Sequence, residues 1–183
     1  GGMSGRLIAV VGASGAGKDT VMAEMAARRP GLHRVRRAIT RAAEAGGEPF
    51  EPVSAADFAR RHAAGDFILS WQAHGLSYGI PAAELSGLAT GRDALVNLSR
   101  GVLAEAQAAV PRFVVLHVTA PVQLRAKRLA ARGRESEEDV LRRLSRRADL
   151  PAGLSVFEID NSGRAQAAAE AALAALDTEK ALP

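Results

Sequence analysis

The chain has 183 residues, of which 48% are hydrophobic and 24% charged, a length and balance that suit one globular domain with a buried core. Its net charge is +4, but only 4% of the residues are aromatic, so the stacking platforms of single-strand nucleic-acid binding are missing and we expect no nucleic-acid partner. There is no cysteine, which excludes a disulfide framework and thiolate catalysis and fits a reducing cytoplasm.

The start of the chain gives no sign of a targeting segment. Gly1 and Gly2 precede Met3 and resemble an expression scar, so the predicted domain covers residues 3–183. The first apolar run is too short for a signal peptide, and no stretch is long enough to span a bilayer. We therefore expect a cytoplasmic protein that does not enter the membrane.

Short apolar runs alternate along the chain with segments of helical character. The predicted strands are 7–11, 67–71, 94–98, 113–118 and 155–159. The predicted helices are 19–29, 55–64, a segment from Pro81 to about residue 91, 121–132, one beginning at Ser136, and 165–176. This alternation predicts an α/β fold, a parallel sheet flanked by helices.

A glycine-rich turn joins the first predicted strand to the first predicted helix. Its pattern G-x-x-x-x-G-K, between a strand and a helix, is that of a phosphate-binding loop, in which backbone N–H groups surround phosphate oxygens and the lysine reaches the β- and γ-phosphates. We therefore expect this loop to bind ATP. The predicted ATP-binding residues are Gly12, Ala13, Ser14, Gly15, Ala16, Gly17, Lys18, Asp19 and Thr20.

The loop departs from the common pattern at the residue after the lysine. A Ser or Thr there normally supplies a hydroxyl to Mg²⁺, whereas this chain has Asp19 followed by Thr20. The later strand that would carry a magnesium-organising acid has Asn97 instead. We hypothesise that Asp19 supplies the carboxylate that Asn97 lacks, with Asp19 and Thr20 as the metal residues. The alternative is that Asp19 only stabilises the start of its helix.

Arginines are concentrated between residues 125 and 147, around a glycine that could act as a hinge. Phosphoryl transfer requires positive donors that close over the developing charge, so residues 132–147 are predicted to form a lid. We expect Arg132 and Arg143 to be catalytic together with Lys18, and Arg134 less so. Arg128 is one of several arginines that we assign equally well to a solvated helix face, which is the competing interpretation of the whole run.

The chain resembles the guanylate kinase group of P-loop kinases nearly from end to end. GASGAGK, Thr40-Arg41, the segment from Phe67 to Gly79, and RGRESEEDVLRRL carry the resemblance. It implies an acceptor-binding insertion at about 39–80, in which Arg41 and Tyr78 hold the acceptor phosphate. The positions that read guanine in that group are Leu69 and Ile80 here, which predicts that guanine is not recognised.

Further motifs resemble the ribose 1,5-bisphosphate phosphokinases more closely. They are GASGAGKDT, ITR, SWQAHGLSYG, LVNLSR and RGRE. The resemblance implies ATP-dependent synthesis of 5-phosphoribosyl 1-diphosphate from ribose 1,5-bisphosphate during phosphonate breakdown. His74, Arg100 and Arg37 are candidates for the acceptor's second phosphate, and Asn97 and Ser99 for its ribose hydroxyls.

Two other functions stay open at this point. One is a guanylate kinase or another kinase of small phosphorylated metabolites on the same frame. The other is an inactive guanylate-kinase-like domain that binds protein partners, which would have no need of the intact loop around Lys18. The sequence is compatible with a monomer or a homodimer.

Overall fold

The computed structural model describes residues 5–45, 48–132 and 150–181. The strands in these ranges are β1 Leu7–Val11, β2 His33–Arg34, β3 Ala38–Ile39, β4 Glu51–Pro52, β5 Phe67–Ala73, β6 Leu76–Pro81, β7 Ala94–Asn97, β8 Phe113–Thr119 and β9 Val156–Asp160. The α-helices are α1 Lys18–Arg28, α2 Ala55–Ala63, α3 Leu103–Ala109, α4 Val122–Arg132 and α5 Ala165–Ala181. Shorter 3-10 helices are Ala43–Ala45, Ala82–Thr90 and Arg100–Val102.

Within the described ranges the strands form two sheets. The larger sheet has the order β2-β7-β1-β8-β9, and its pairs β2–β7 and β8–β9 are parallel. The smaller sheet has the order β4-β3-β6-β5, with β6 antiparallel to both of its neighbours. The predicted parallel sheet flanked by helices is confirmed, and the second sheet is an addition that the sequence did not predict.

The chain divides into two compact units. The first unit comprises Gly1–Ala9 and Gly31–Phe113. It contains the smaller sheet, the β2–β7 pair, α2 and α3. Ser54 caps α2, because its side chain accepts a hydrogen bond from the Asp57 N–H at 3.0 Å. The helical segment after Pro81 is a 3-10 helix that ends at Gly91, whose φ is 89°.

The second unit comprises Val10–Pro30 and Val114–Pro183. It contains the glycine-rich turn, α1, the β8–β9 pair, α4 and α5. Helix α1 contacts α5, and its apolar residues Val21, Met22 and Met25 are fully buried. Small side chains make close packing possible on the α5 side, where Ala168, Ala169 and Ala172 are buried. No helix in the described ranges has both the length and the apolar character needed to cross a bilayer.

Candidate active site

The glycine-rich turn leads from β1 into α1, with Gly17 as the residue that precedes the helix. The Ala16 N–H donates to the Ala13 carbonyl at 3.1 Å, which closes the turn. The Lys18 ammonium donates back to the Gly12 carbonyl at 2.8 Å, so the charge is held at the loop. This is the arrangement that a phosphate-binding loop requires, since the cation and the helix N-terminus lie together.

Gly17 can be replaced by no other residue without strain. Its φ is 89°, in the left-handed region, and a Cβ built on it would lie 2.5 Å from Nδ2 of Asn161. The glycine therefore allows both the turn and the close approach of the Asn161 side chain.

The side chains of Arg128 and Asn161, which the sequence did not single out for this purpose, donate hydrogen bonds to carbonyls of the loop. Arg128 donates through Nη1 to the carbonyls of Gly15 and Ala16, at 3.1 and 3.2 Å, and through Nη2 to the Asn161 carbonyl at 2.6 Å. Asn161 is 3% exposed and donates through Nδ2 to the Ala16 carbonyl at 2.7 Å. Because their carbonyls are held by these donors, the peptide units of residues 15 and 16 are fixed in orientation.

Of the two interpretations that the sequence leaves open for Arg128, the solvated helix face is therefore excluded. Its guanidinium is partly buried and bonded to the phosphate loop. An arginine count along α4 could not reveal this, because its partners are main-chain carbonyls 112 and 113 residues away. The Oδ1 atom of Asn161 is buried and accepts no hydrogen bond from the part of the chain that the structure describes.

Asp19 and Thr20 lie in the first turn of α1, and both side chains are exposed. No side-chain hydrogen bond caps this helix, so Asp19 does not act as a hydrogen-bonding cap. A carboxylate and a hydroxyl that remain accessible beside Lys18 are suitable oxygen donors for Mg²⁺. In the described residues no three His, Cys, Asp or Glu side chains converge to form a metal site by themselves.

The predicted lid falls almost entirely outside the described residues. Arg132 is the last residue of α4, and nothing is described of its side chain. Arg134 and Arg143 lie outside the described ranges. The assignment of these three arginines to the lid stays a prediction.

The first unit brings together several residues predicted for the acceptor. The backbone N–H of Thr40 donates to the Ser77 carbonyl at 3.0 Å, and the Ser77 N–H donates to Thr40 Oγ1 at 2.8 Å. These two bonds join the residue after β3 to β6, directly before Arg41 in the chain. The Arg41 guanidinium lies over the Phe50 ring, 5.4 Å from its centroid.

Tyr78 lies at the centre of an aromatic and cationic stack. Its ring is nearly parallel to that of Trp71, its cross-strand partner, with 5.2 Å between centroids and 4° between planes. The Arg37 guanidinium lies over the Tyr78 ring at 5.3 Å. Cation–π contact and stacking hold all three planar groups in place.

A buried carboxylate that the sequence analysis missed lies in the same unit. Glu48 is 7% exposed, and it accepts hydrogen bonds from Arg37 Nε at 3.2 Å and from Asn97 Nδ2 at 3.3 Å. No periodicity or motif marks a lone glutamate in a loop. Two candidate acceptor residues, Arg37 and Asn97, are thus joined through a third that the sequence did not indicate.

The remaining acceptor candidates lie at different positions of the first unit. Ser99 precedes the 3-10 helix that Arg100 begins, and both are half-buried. His74 is exposed at the two-residue turn of the β5–β6 hairpin, with φ 53°. It is thus not a packed core histidine.

The two positions that would read guanine are occupied by core residues. Leu69 and Ile80 are cross-strand partners in the smaller sheet and are 4% and 0% exposed. Neither side chain can donate or accept a hydrogen bond. The geometry agrees with the expectation that the polar contacts to a guanine edge are lost.

Comparison with known proteins gives a consistent picture. No family model matches the chain. It is 50% identical over 181 residues to ribose 1,5-bisphosphate phosphokinase PhnN of Ruegeria sp. strain TM1040, which covers 97% of this chain and 94% of that protein. It is 44% identical to PhnN of Pseudomonas paraeruginosa strain PA7, over 98% of this chain and 99% of that protein.

A bifunctional ribose 1,5-bisphosphokinase-thymidine phosphorylase of Cupriavidus pinatubonensis is 45% identical, but the match covers only 27% of that longer protein. Among solved structures, guanylate kinase from Anaplasma phagocytophilum has a TM-score of 0.71 at 17% identity, covering 98% of this chain and 88% of that one. A sugar kinase from Janibacter sp. HTCC2649 has a TM-score of 0.55 at 18% identity, covering 97% of both chains. The solved structures establish a guanylate-kinase-like fold, and the sequence relatives establish that the chain belongs to the ribose 1,5-bisphosphate phosphokinase family.

Proposed function

We propose that the protein transfers the γ-phosphoryl group of ATP to the 1-phosphate of ribose 1,5-bisphosphate, forming 5-phosphoribosyl 1-diphosphate and ADP. The observation that carries this proposal is the 50% identity, over nearly the whole chain, to a protein named for this acceptor. The phosphate loop around Lys18 supports the kinase half of the proposal, because an inactive binding module would not need it. We place the reaction in phosphonate breakdown.

On the donor side, the loop residues from Gly12 to Thr20 hold the ATP phosphates through their N–H groups and Lys18. Mg²⁺ bound to Asp19 and Thr20 would neutralise phosphate charge. Arg132 and Arg143 would add positive charge as the reaction proceeds. Such donors lower the barrier because they stabilise the charge spread over the transferring phosphoryl oxygens.

On the acceptor side, Arg41 and Tyr78 hold the reacting phosphate, while Asn97 and Ser99 bind ribose hydroxyls and Arg100 contributes positive charge. His74 would complete this set from the hairpin turn. An oxygen of the 1-phosphate attacks the γ-phosphorus, the new P–O bond forms, and the bond to the β–γ bridging oxygen breaks with its electron pair leaving on ADP. The attacking oxygen is already ionised near neutral pH, so positioning takes the place of a general base.

The test is a reaction of the purified protein with ATP, Mg²⁺ and ribose 1,5-bisphosphate, in which phosphorus NMR identifies the product. We expect equal amounts of ADP and a sugar diphosphate. Lys18→Met should reduce the rate by at least about a hundredfold, since it removes a charge that contacts the transferring group. ADP formation without a sugar diphosphate would refute the proposal.

A further inference from the structure

The side chain of Glu48 presents an energetic problem that the proposed chemistry does not explain. It is 7% exposed, and a buried carboxylate is costly unless its charge is paired and its oxygens are hydrogen-bonded. Neither ATP binding nor attack by a phosphate oxygen calls for an additional carboxylate near a polyanionic acceptor. An unpaired negative charge there would repel the substrate.

Two side chains that donate hydrogen bonds to the Glu48 carboxylate reduce this cost. Arg37 donates through Nε to one carboxylate oxygen, and Asn97 donates through Nδ2 to the other. Arg37 lies between β2 and β3, whereas Asn97 ends β7. Glu48 therefore holds side chains from two separate parts of the first unit in a fixed relation.

The hydrogen bonds to Glu48 leave other polar atoms of Arg37 and Asn97 available for a ligand. The two terminal amino groups of Arg37 contact no hydrogen-bond partner among the described residues, and its guanidinium plane is fixed over the Tyr78 ring. Because Asn97 donates to the carboxylate through Nδ2, its Oδ1 is not used in that bond and can accept another. A guanidinium with a free fork suits a phosphate, and an amide oxygen suits a sugar hydroxyl.

The guanidinium groups of Arg37 and Arg41 also lie over two different aromatic rings. Arg41 lies over Phe50 and Arg37 over Tyr78. An acceptor with two phosphates needs two such positive positions. If Arg41 serves the reacting phosphate, Arg37 is available for the other one.

We propose that Glu48 is a positioning residue for the acceptor, which aims Arg37 at the phosphate that is not transferred and Asn97 at a sugar hydroxyl. This inference rests on the proposed function, since it takes a sugar bisphosphate as the acceptor. Glu48 itself contacts neither reacting atom. It makes the first unit selective for acceptors that carry a second phosphate.

The test compares wild type, Glu48→Gln, Arg37→Ala and the double variant by steady-state kinetics. Glu48→Gln removes the charge and replaces one accepting oxygen with an NH2 group, so the bonds from Arg37 and Asn97 cannot both be kept in their present geometry. We expect the acceptor KM to rise about tenfold in Glu48→Gln and about a hundredfold in Arg37→Ala, with the ATP KM within about twofold of wild type. The double variant should resemble Arg37→Ala alone, because Glu48 acts largely through Arg37.

A matched control is Asp93→Asn, which also removes a carboxylate from a buried arginine, Arg6, at 2.7 Å. This variant should lower the melting temperature while leaving both KM values within twofold. The inference is overturned if Glu48→Gln behaves like this control, raises both KM values equally, or adds its full effect to that of Arg37→Ala.

Calorimetric binding of ribose 5-phosphate separates this inference from the proposed function, because it needs no turnover. Binding by wild type that weakens at least tenfold in both Glu48→Gln and Arg37→Ala supports the positioning of Arg37, even if ribose 1,5-bisphosphate were not phosphorylated. Equal binding by all three proteins would overturn it, even if the bisphosphate were a good substrate.

Discussion

At the scale of single residues, Gly79 shows how closely the smaller sheet is packed. A Cβ at this position would lie 2.8 Å from three atoms of the Phe67 ring. That ring has little freedom to move, because the tilted Phe58 ring packs against it with 4.8 Å between centroids and the Arg61 guanidinium lies 5.0 Å from its centroid. The glycine next to Tyr78 is therefore required by packing.

We expect Gly79→Ala to lower the free energy of unfolding by about 2 kcal/mol, the typical cost of overpacking a fixed site. Denaturant titration measures this change. Gly31→Ala is the matched control, since a Cβ there would meet nothing within 4 Å, and it should change the stability by less than about 0.5 kcal/mol. Equal stabilities of the two variants would contradict this account of the packing.

Asp19 is the residue on which the metal hypothesis depends. If its carboxylate binds Mg²⁺, Asp19→Ser should raise the Mg²⁺ concentration needed for half-maximal turnover by roughly tenfold, about 1.4 kcal/mol of binding. Titration of turnover with Mg²⁺ at saturating ATP tests this. Glu24→Gln, on the same helix but away from the loop, should leave the titration unchanged. An unaltered titration in Asp19→Ser would contradict the hypothesis.

At the scale of elements, α4 and the segment after β9 support the phosphate loop that joins β1 to α1. Arg128 makes three hydrogen bonds to carbonyls of the loop and of Asn161. Charged donors of this kind typically contribute about 1.5 to 3 kcal/mol each when one partner is removed. We therefore expect the helix to contribute to ATP binding through the shape of the loop.

Arg128→Met keeps the apolar stem of the side chain and removes its donors. We expect the ATP KM to rise about tenfold while the acceptor KM stays within about twofold, because only the donor loop loses its support. Lys127→Met is the matched control on the exposed side of the same helix and should behave as wild type. Wild-type ATP affinity in Arg128→Met would show that the loop holds its shape without this arginine.

At the scale of the whole molecule, the structural elements that could be predicted are those whose sequence pattern lies within a few neighbouring residues. The long apolar strands and the Ser54 cap could be predicted because periodicity and capping act over a few residues. The two-residue strands β2, β3 and β4 could not, since so short a strand has no period. The α/β class followed from the alternation, but the second sheet depends on pairing between distant segments.

The residues of the candidate site likewise fall into those that could be predicted from a local pattern and those that could not. The phosphate loop is continuous in sequence, so Lys18 and the residues around it could be predicted. Arg128 and Glu48 could not, because each acts through partners distant in the chain; Asn97 is 49 residues from Glu48. Their significance arises only when the folded chain brings a carboxylate or a carbonyl to an arginine.

The central claim is the choice of acceptor, and one measurement tests it most directly. Purified protein with ATP and Mg²⁺ is offered ribose 1,5-bisphosphate and GMP in parallel, and ADP formation is followed by a coupled assay. Because apolar Leu69 and Ile80 replace the residues that would read guanine, we predict turnover of the sugar bisphosphate and none of GMP. Turnover of GMP at a comparable kcat/KM would contradict the account.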